Sequence, residues 1–198
     1  ASRAALHAAL LDTAAARRSI AIRYEAPVTR TGPRDGPIAV EGVEGPVDLL
    51  VAADGVRSDL RTALVGDAPE ETGWVAWRGR GRPGSTDTEL VMAAGHHLVR
   101  YALSDDDDNC VLVARERDRG PEALARTATA DHLGDVTGWV PWPMRVRRRH
   151  VFRAGSVALV GDAAHAMLPF LAQGGAMAIE DAAVLGAAVA RSGAGPDA

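Results

Sequence analysis

The stretch Gly155-Ser156-Val157-Ala158-Leu159-Val160-Gly161-Asp162-Ala163-Ala164-His165 decides how the rest of the chain is read. Val157 to Val160 is a short apolar run suited to a buried strand. It ends at Gly161, where the missing side chain lets a ligand pass close to the backbone. Asp162 then offers carboxylate oxygens to a sugar-type hydroxyl, and Ala163 and Ala164 keep the loop narrow. The chain continues through Pro169 and Ala172-Gln173-Gly174-Gly175 into an Ala-rich segment, Gln173 to Arg191, which reads as a long helix. At its start, unpaired backbone N–H groups and the positive end of the dipole converge, a site for developing negative charge. A strand–loop–helix turn with glycines placed for packing accounts for the same residues.

Further back lies a second stretch of similar build, Leu49-Leu50-Val51-Ala52-Ala53-Asp54-Gly55-Val56-Arg57-Ser58-Asp59-Leu60-Arg61. The nearly continuous apolar run Val47 to Ala53 suits a buried strand that delivers Asp54 and Gly55 to a sheet's C-terminal edge, where α/β proteins bind ligands. Asp54 can cap the helix expected over Val56 to Val65 or meet a ligand hydroxyl. Taken alone, this strand-Asp-Gly turn is better read as a plain structural turn.

Around these two motifs the chain alternates in character. Residues 3 to 18 read as a helix capped by Ser2, with Leu6, Leu10 and Leu11 at helical spacing. Ile20 to Tyr24 and Ile38 to Val43 read as strands flanking the turn-rich Pro27 to Pro37. The middle third differs: Gly73 to Gly79, Glu89 to Ala94, His97 to Leu103 and Asn109 to Arg115 are short strand-like runs, spaced as in an antiparallel sheet. Pro121 to Leu133 reads as a helix with Pro in its first turn, and Met144 to Phe152 as a further strand. The tail, Ser192 to Ala198, is small and polar and is expected to fray.

Composition excludes several classes. The 198 residues, 47% hydrophobic and 24% charged with net charge −4, give no basic face for nucleic acid. Cys110 is the single cysteine, so neither an internal disulfide nor a thiolate metal cluster can form. No apolar run approaches the roughly 20 residues of a membrane span, and no signal peptide is visible, which points to a cytoplasmic protein. Asp105, Asp107, Asn109 and Glu116 match part of a calcium-loop spacing, but Cys110 stands where such a loop needs glycine, so a solvated hairpin turn is expected. His96, His97 and His165 lack convergent metal-ligand spacing. The cluster Arg145, Arg147, Arg148 and Arg149 reads as one exposed strand face, and Ser58 and Ser156 lack the glycine frame of a nucleophile elbow.

In this order, the two motifs resemble the second and third fingerprints of FAD-dependent class A aromatic-ring monooxygenases. The run Met167-Leu168-Pro169-Phe170-Leu171-Ala172-Gln173-Gly174 with Ile179-Glu180-Asp181 is similar to the salicylate hydroxylase-like branch. Thr72 to Gly79, Trp139 to Met144 and the helix from Arg3 to Leu11 resemble segments of the same branch. The resemblance implies an α/β (α+β) fold: a partial FAD-binding Rossmann-like three-layer domain over residues 1–70 and 151–198, with an inserted antiparallel β-sheet substrate domain over 71–150. It implies that Asp162 binds ribityl or ribose hydroxyls of FAD. Gly161, Ala163, Gly174 and Gly175 would lie along the pyrophosphate and isoalloxazine, with Pro169 and Gln173 at the reactive side. Asp54, Gly55 and Arg57 are implied to serve FAD and NAD(P)H binding together, and Arg3 to contact the flavin. The implied reaction is reduction of FAD by NADH or NADPH, then O2-dependent hydroxylation of a small aromatic substrate. Trp74, Trp77, His96, His97, Arg100 and Tyr101 fall on the sheet that would roof it, and His97 joins Pro169 and Gln173 as a catalytic candidate. A homodimer is left open.

One departure is plain. Family members open with a βαβ unit bearing G-x-G-x-x-G, and nothing here matches it, so the chain is expected to begin inside a longer protein and to bind FAD poorly alone. Two other readings stand beside the first: a non-catalytic flavoprotein-like remnant, and an epoxidase or hydroxylase acting on a polyketide-type substrate.

Overall fold

The computed structural model describes residues 3–28, 38–83, 87–104, 107–118, 120–124, 130–133 and 135–193. Along the chain the elements are α1 (Arg3–Ala15), β1 (Ile38–Ala39), β2 (Pro46–Val47), β3 (Leu50–Ala52), α2 (Asp59–Val65), β4 (Glu70–Gly81), β5 (Glu89–Ala93), β6 (His96–Ala102), β7 (Asp108–Arg115), α3 (Pro121–Leu124), α4 (Ala130–Leu133), β8 (Thr137–Val146), β9 (Arg153–Ala154), β10 (Val157–Leu159), α5 (Asp162–His165) and α6 (Gly174–Arg191). Short 3-10 turns cover Glu116–Asp118 and Pro169–Leu171. Two compact units divide the chain: residues 1–12 with 71–144, and residues 13–70 with 145–198.

The first unit is organised by a five-stranded sheet in the order β5-β6-β7-β4-β8. Register assigns its faces, because antiparallel partners point the same way and neighbours along a strand point oppositely. Trp77 pairs with Leu112, which pairs with Leu98, and these share a face with Cys110 and Ala114. Leu133, Val136, Val91 and Trp139 pack on that face to make the unit's core. The fit leaves no spare room: a Cβ at Gly79 would lie 2.6 Å from Val136 Cγ1. Cys110 is fully buried there, and its burial pushes the thiol up to about 11. The opposite face carries Trp74, Arg78, His97, Val99, Tyr101, Val111 and Arg115. On it Arg115 lies 4.2 Å over Trp74, and Arg78 lies 5.5 Å over Trp142.

The second unit holds the sheet β3-β10-β9, with β10 parallel to β3 and antiparallel to β9. Ala52, Val157 and Leu159 are buried on one face and meet Leu60 and Leu64 of α2 together with Ile38 and Val40. The other face is open enough to leave Val51 39% exposed, so the apolar run around it is half buried, where complete burial was expected. Helix α2 is capped at both ends. The Ser58 hydroxyl accepts from Arg61 N at 2.9 Å, and Gly66 closes the helix in the left-handed conformation.

What ties this unit together is a buried ionic knot. Arg61 is fully buried, and its guanidinium spends every N–H. It donates to both Asp67 carboxylate oxygens at 2.9 and 2.6 Å, to Ala163 O and Ala164 O at 2.8 and 2.6 Å, and to Arg149 O at 2.6 Å. Arg147, 2% exposed, donates to Asp67 Oδ1 at 2.8 Å, to Asp67 O and Val56 O at 3.0 Å each, and to Ser58 O at 3.4 Å. The expected exposed arginine face is thereby corrected. Arg148 and Arg149 are exposed, but Arg147 sits just past the end of β8 and turns inward, because Asp67 and three carbonyls await it.

Other expectations need adjusting. Ile20 to Tyr24 forms no strand: Ile20, Ile22 and Tyr24 are 46%, 39% and 72% exposed, and no neighbouring strand supplies a ladder among the described residues. The run Val47 to Ala53 breaks at Asp48-Leu49, its ends joining different sheets. The strand expected over Met144 to Phe152 begins earlier and stops at Val146. Only Pro121–Leu124 and Ala130–Leu133 of the expected helix are seen, the residues between lying outside those described. Ser2, Asp105 and residues 194–198 also lie outside them.

The knot makes a prediction. The Arg61 hydrogen bond holds the Asp67 carboxyl below its ordinary 3.8, so the folded chain binds that proton less readily than the unfolded one. The stability contributed is complete above pH ~4 and is lost as pH falls through the lowered value. Asp67→Asn, by leaving two buried guanidiniums without their counter-charge, is expected to cost about 3–5 kcal/mol and to flatten the acid limb of the stability profile. Urea unfolding of both proteins between pH 3 and 7 measures this.

Candidate functional site

Parallel pairing decides where the two sequence motifs meet. Leu159 stands opposite Ala52, and Val160 N donates to Ala52 O at 3.1 Å. Both strands therefore end at one sheet edge, and Asp54-Gly55 and Gly161-Asp162 leave it side by side. In parallel sheets such an edge gathers ligand-binding loops.

At the first exit, Gly55 has φ +82 and its carbonyl receives Ser58 N at 3.0 Å, a turn that disfavours any side chain. Asp54 and Arg57 are exposed. Leu60 N reaches Asp54 Oδ2 only at 3.5 Å, so the helix cap is Ser58, and the carboxylate of Asp54 faces solvent.

The second exit is held more firmly. Gly161 adopts φ +56, ψ −140, and a Cβ there would lie 3.2 Å from Ala178 Cβ on α6. Its amide donates to Asp181 Oδ2 at 2.7 Å, and its carbonyl accepts Ala164 N and His165 N at 2.9 Å each. Asp162 follows, exposed, its carboxylate without a hydrogen-bond partner among the described residues. Ala163 is fully buried and its carbonyl is committed to Arg61.

Helix α6 opens at Gly174. Its cap residue Gln173 makes no side-chain bond to the helix start, and a Cβ at Gly174 or Gly175 would meet nothing within 4 Å. The first amides thus have no intrahelical acceptor, and the space beside the two glycines is open. Gly174, Met177, Ala178, Asp181, Leu185 and Val189 form a half-buried stripe at helical spacing. Pro169 is exposed at the head of the 3-10 turn, which ends on Ala172 at φ +52, a left-handed conformation that costs an alanine roughly 1–2 kcal/mol.

The second unit therefore brings Asp54, Gly55, Gly161, Asp162 and Ala163 to one edge and carries Arg57, Pro169, Gln173, Gly174 and Gly175 on the adjoining turns. Arg3, exposed on α1, and His97, on β6, belong to the unit with the five-stranded sheet. Register also sorts the sheet's candidates. Trp77, His96 and Arg100 share the face that packs on Leu133 and Val136, whereas Trp74, His97 and Tyr101 share the other. Arg100 is spoken for: it donates to Asp108 at 2.7 Å, to Asp135 at 2.9 and 2.8 Å, and to the Arg82 carbonyl. That commitment removes it as an anchor for a substrate carboxylate. Burial, then the neighbouring charge of His96, pulls the His97 imidazole below its ordinary 6.5.

Sequence reading quoted Arg61 and Asp181 within the two motifs without giving either a role, took Arg147 for an exposed residue and passed over Asp67.

Comparisons with known proteins bear on the same residues. Residues 114–196 match the family described as FAD binding domain. The FAD-dependent monooxygenase cfoG of Aspergillus candidus is 32% identical over 180 residues, which cover 70% of this chain and 42% of that protein. The 3-hydroxybenzoate 6-hydroxylase of Klebsiella oxytoca is 33% identical over 168 residues, 73% of this chain and 42% of that enzyme. A crystal structure of Klebsiella pneumoniae HpxO complexed with FAD and uric acid superposes with a TM-score of 0.75 at 27% identity, covering 94% of this chain and 54% of that one. The chain spans about half the length of the relatives it matches. Among the described residues no helix is long and apolar enough to cross a membrane.

The locked geometry at Gly161 predicts a local contrast. Gly161→Ala is expected to cost about 2–3 kcal/mol, since it adds backbone strain to a tight Cβ contact. Gly174→Ala, facing open space, should stay within about 0.5 kcal/mol of wild type. Urea midpoints of the two variants make the comparison.

Proposed function

We propose that this chain, a homologue of the FAD-dependent aromatic hydroxylases, forms the riboflavin-side part of the flavin site in a monooxygenase that uses NAD(P)H and O2 to hydroxylate an aromatic ring. The observation that carries the reading is the shared exit of the two motifs at one parallel sheet edge, with the Asp162 carboxylate left without a partner among the described residues. The residues present fit such a group: Gly161 lets α6 pack close beneath the turn, Asp162 offers oxygens to ribityl hydroxyls, and the α6 start has no side-chain cap and open space beside Gly174 and Gly175.

Bound FAD supplies the redox chemistry, taking electrons from reduced nicotinamide and passing them to O2. The chain's own groups do the rest. The α6 amides would meet negative charge on the flavin's pyrimidine edge, and Gln173 and Pro169 would serve its reactive side. Asp54, Gly55 and Arg57 would line the approach to the cofactors, and the family resemblance assigns Arg3 a flavin contact. His97, kept neutral near pH 7 by burial, accepts a phenol proton and so activates the ring. The named substrate of the Klebsiella oxytoca relative is a phenolic carboxylic acid, and that class is assigned here. A NAD(P)H-fed reaction of this kind suits a cytoplasmic protein.

Two measurements test the reading. The full-length protein should purify yellow and oxidise NADH or NADPH faster with phenolic acids; a colourless protein, or stimulation by non-aromatic compounds alone, would sink it. His97→Gln is expected to lower kcat by about 10²–10⁴-fold and to abolish the fall in rate below pH 6.5 that protonation of His97 causes.

A further inference from the structure

The carboxylate of Asp181 stands seven residues into α6, away from both exposed turns, yet it touches the turn that presents Asp162. Its Oδ2 atom receives Gly161 N at 2.7 Å and lies 2.6 Å from His165 Nε2. His165 is 1% exposed and packs against Phe152, ring centroids 5.5 Å apart, and His150, 6.4 Å. Its other nitrogen, Nδ1, is buried without a hydrogen-bond partner among the described residues. An ionised Asp181 can only accept, so the imidazole carries its proton on Nε2 and leaves Nδ1 bare, in agreement with the missing partner. Two charge-assisted bonds therefore converge on one oxygen.

Their effect runs in two directions. Gly161 has both backbone groups occupied, its amide by Asp181 and its carbonyl by the first turn of α5, while its α-carbon abuts Ala178. Asp162, the next residue, inherits a fixed backbone and a side chain with no partner among the described residues. From Asp181 back to Gly174 is two turns of one straight helix, about 10 Å of rise. The same carboxylate thus sets where the α6 amides stand relative to Asp162.

We infer that Asp181, with His165 as its orienting partner, is a positioning residue that holds the Asp162 carboxylate and the α6 N-terminus at a fixed mutual distance for one ligand. This rests on the flavin reading of the site. Asp181 touches no ligand in this scheme; it acts through Gly161.

A double-mutant cycle on FAD affinity separates positioning from simple stability. Flavin fluorescence titrations of the full-length protein would use wild type, Asp162→Ala, Asp181→Asn and the double variant, with urea midpoints in parallel. Asp181→Asn is expected to weaken FAD binding by about tenfold or more in the wild-type background and by less than about twofold when Asp162 is already alanine. Equal losses in both backgrounds, or no loss, overturn the inference while leaving the flavin reading standing. A wild-type full-length protein that takes up no FAD overturns the reading and the inference together. Nitrogen-15 NMR of the histidines keeps the geometry testable in any variant too unstable to titrate. His165 should show a single Nε2–H tautomer that becomes mixed in Asp181→Ala, and an unchanged tautomer overturns the link.

Discussion

A guanidinium taken out of water must find acceptors for every N–H it carries, and Arg61 is the residue on which that requirement bears hardest here. It meets it by drawing together segments that are far apart in sequence: the end of α2, the Arg149 carbonyl beyond β8, and the carbonyls of Ala163 and Ala164. Arg147 repeats the demand from the opposite side and shares the same carboxylate. Two cations on one anion make a costly arrangement in a hydrophobic setting, and hydrocarbon of similar volume would often serve stability as well. What hydrocarbon would not supply is direction. Carbonyls accept only along their lone pairs, so the knot fixes the angle at which the turn after β3 faces the turn after β10.

That arrangement explains why the Asp162 carboxylate stays unspent among the described residues and Asp54 gives up only one long bond, to Leu60 N at 3.5 Å. Asp54 and Asp162 are exposed, while the work of holding the loops falls to Ser58, Arg61, Arg147 and Asp181 beneath them. A loop held by its own outward-facing side chains would have to give up those contacts to meet a ligand. Support from below removes that competition, and it leaves the backbone preorganised.

Much of this was legible in the sequence, for reasons that differ from residue to residue. Gly55 and Gly161 announced themselves because glycine at a strand end is rarely idle, and each has a positive φ that other residues adopt only with strain. The antiparallel sheet of the middle third was visible because alternation and turn spacing are local properties. Pairing is not local. Ile20 to Tyr24 has strand composition yet forms none, since a strand exists only with a neighbour, and composition does not name one. Arg147 was unreadable for a related reason: an arginine in a basic run looks solvated until the carbonyls that await it are in place. The pair His96 and His97 shows the limit most compactly. Adjacent and chemically identical, they fall on opposite faces of the sheet, and register alone separates them.

Cys110 has a use that its place in the sheet dictates. It is the single thiol of the chain, fully enclosed at the centre of β7, and burial keeps it protonated up to about pH 11. The attacking species in alkylation is the thiolate, so the folded chain should resist thiol reagents at neutral pH. Modification then becomes a clock for opening of the five-stranded sheet. Because the other unit carries no sulfhydryl, the signal reports one half of the molecule without interference from the other.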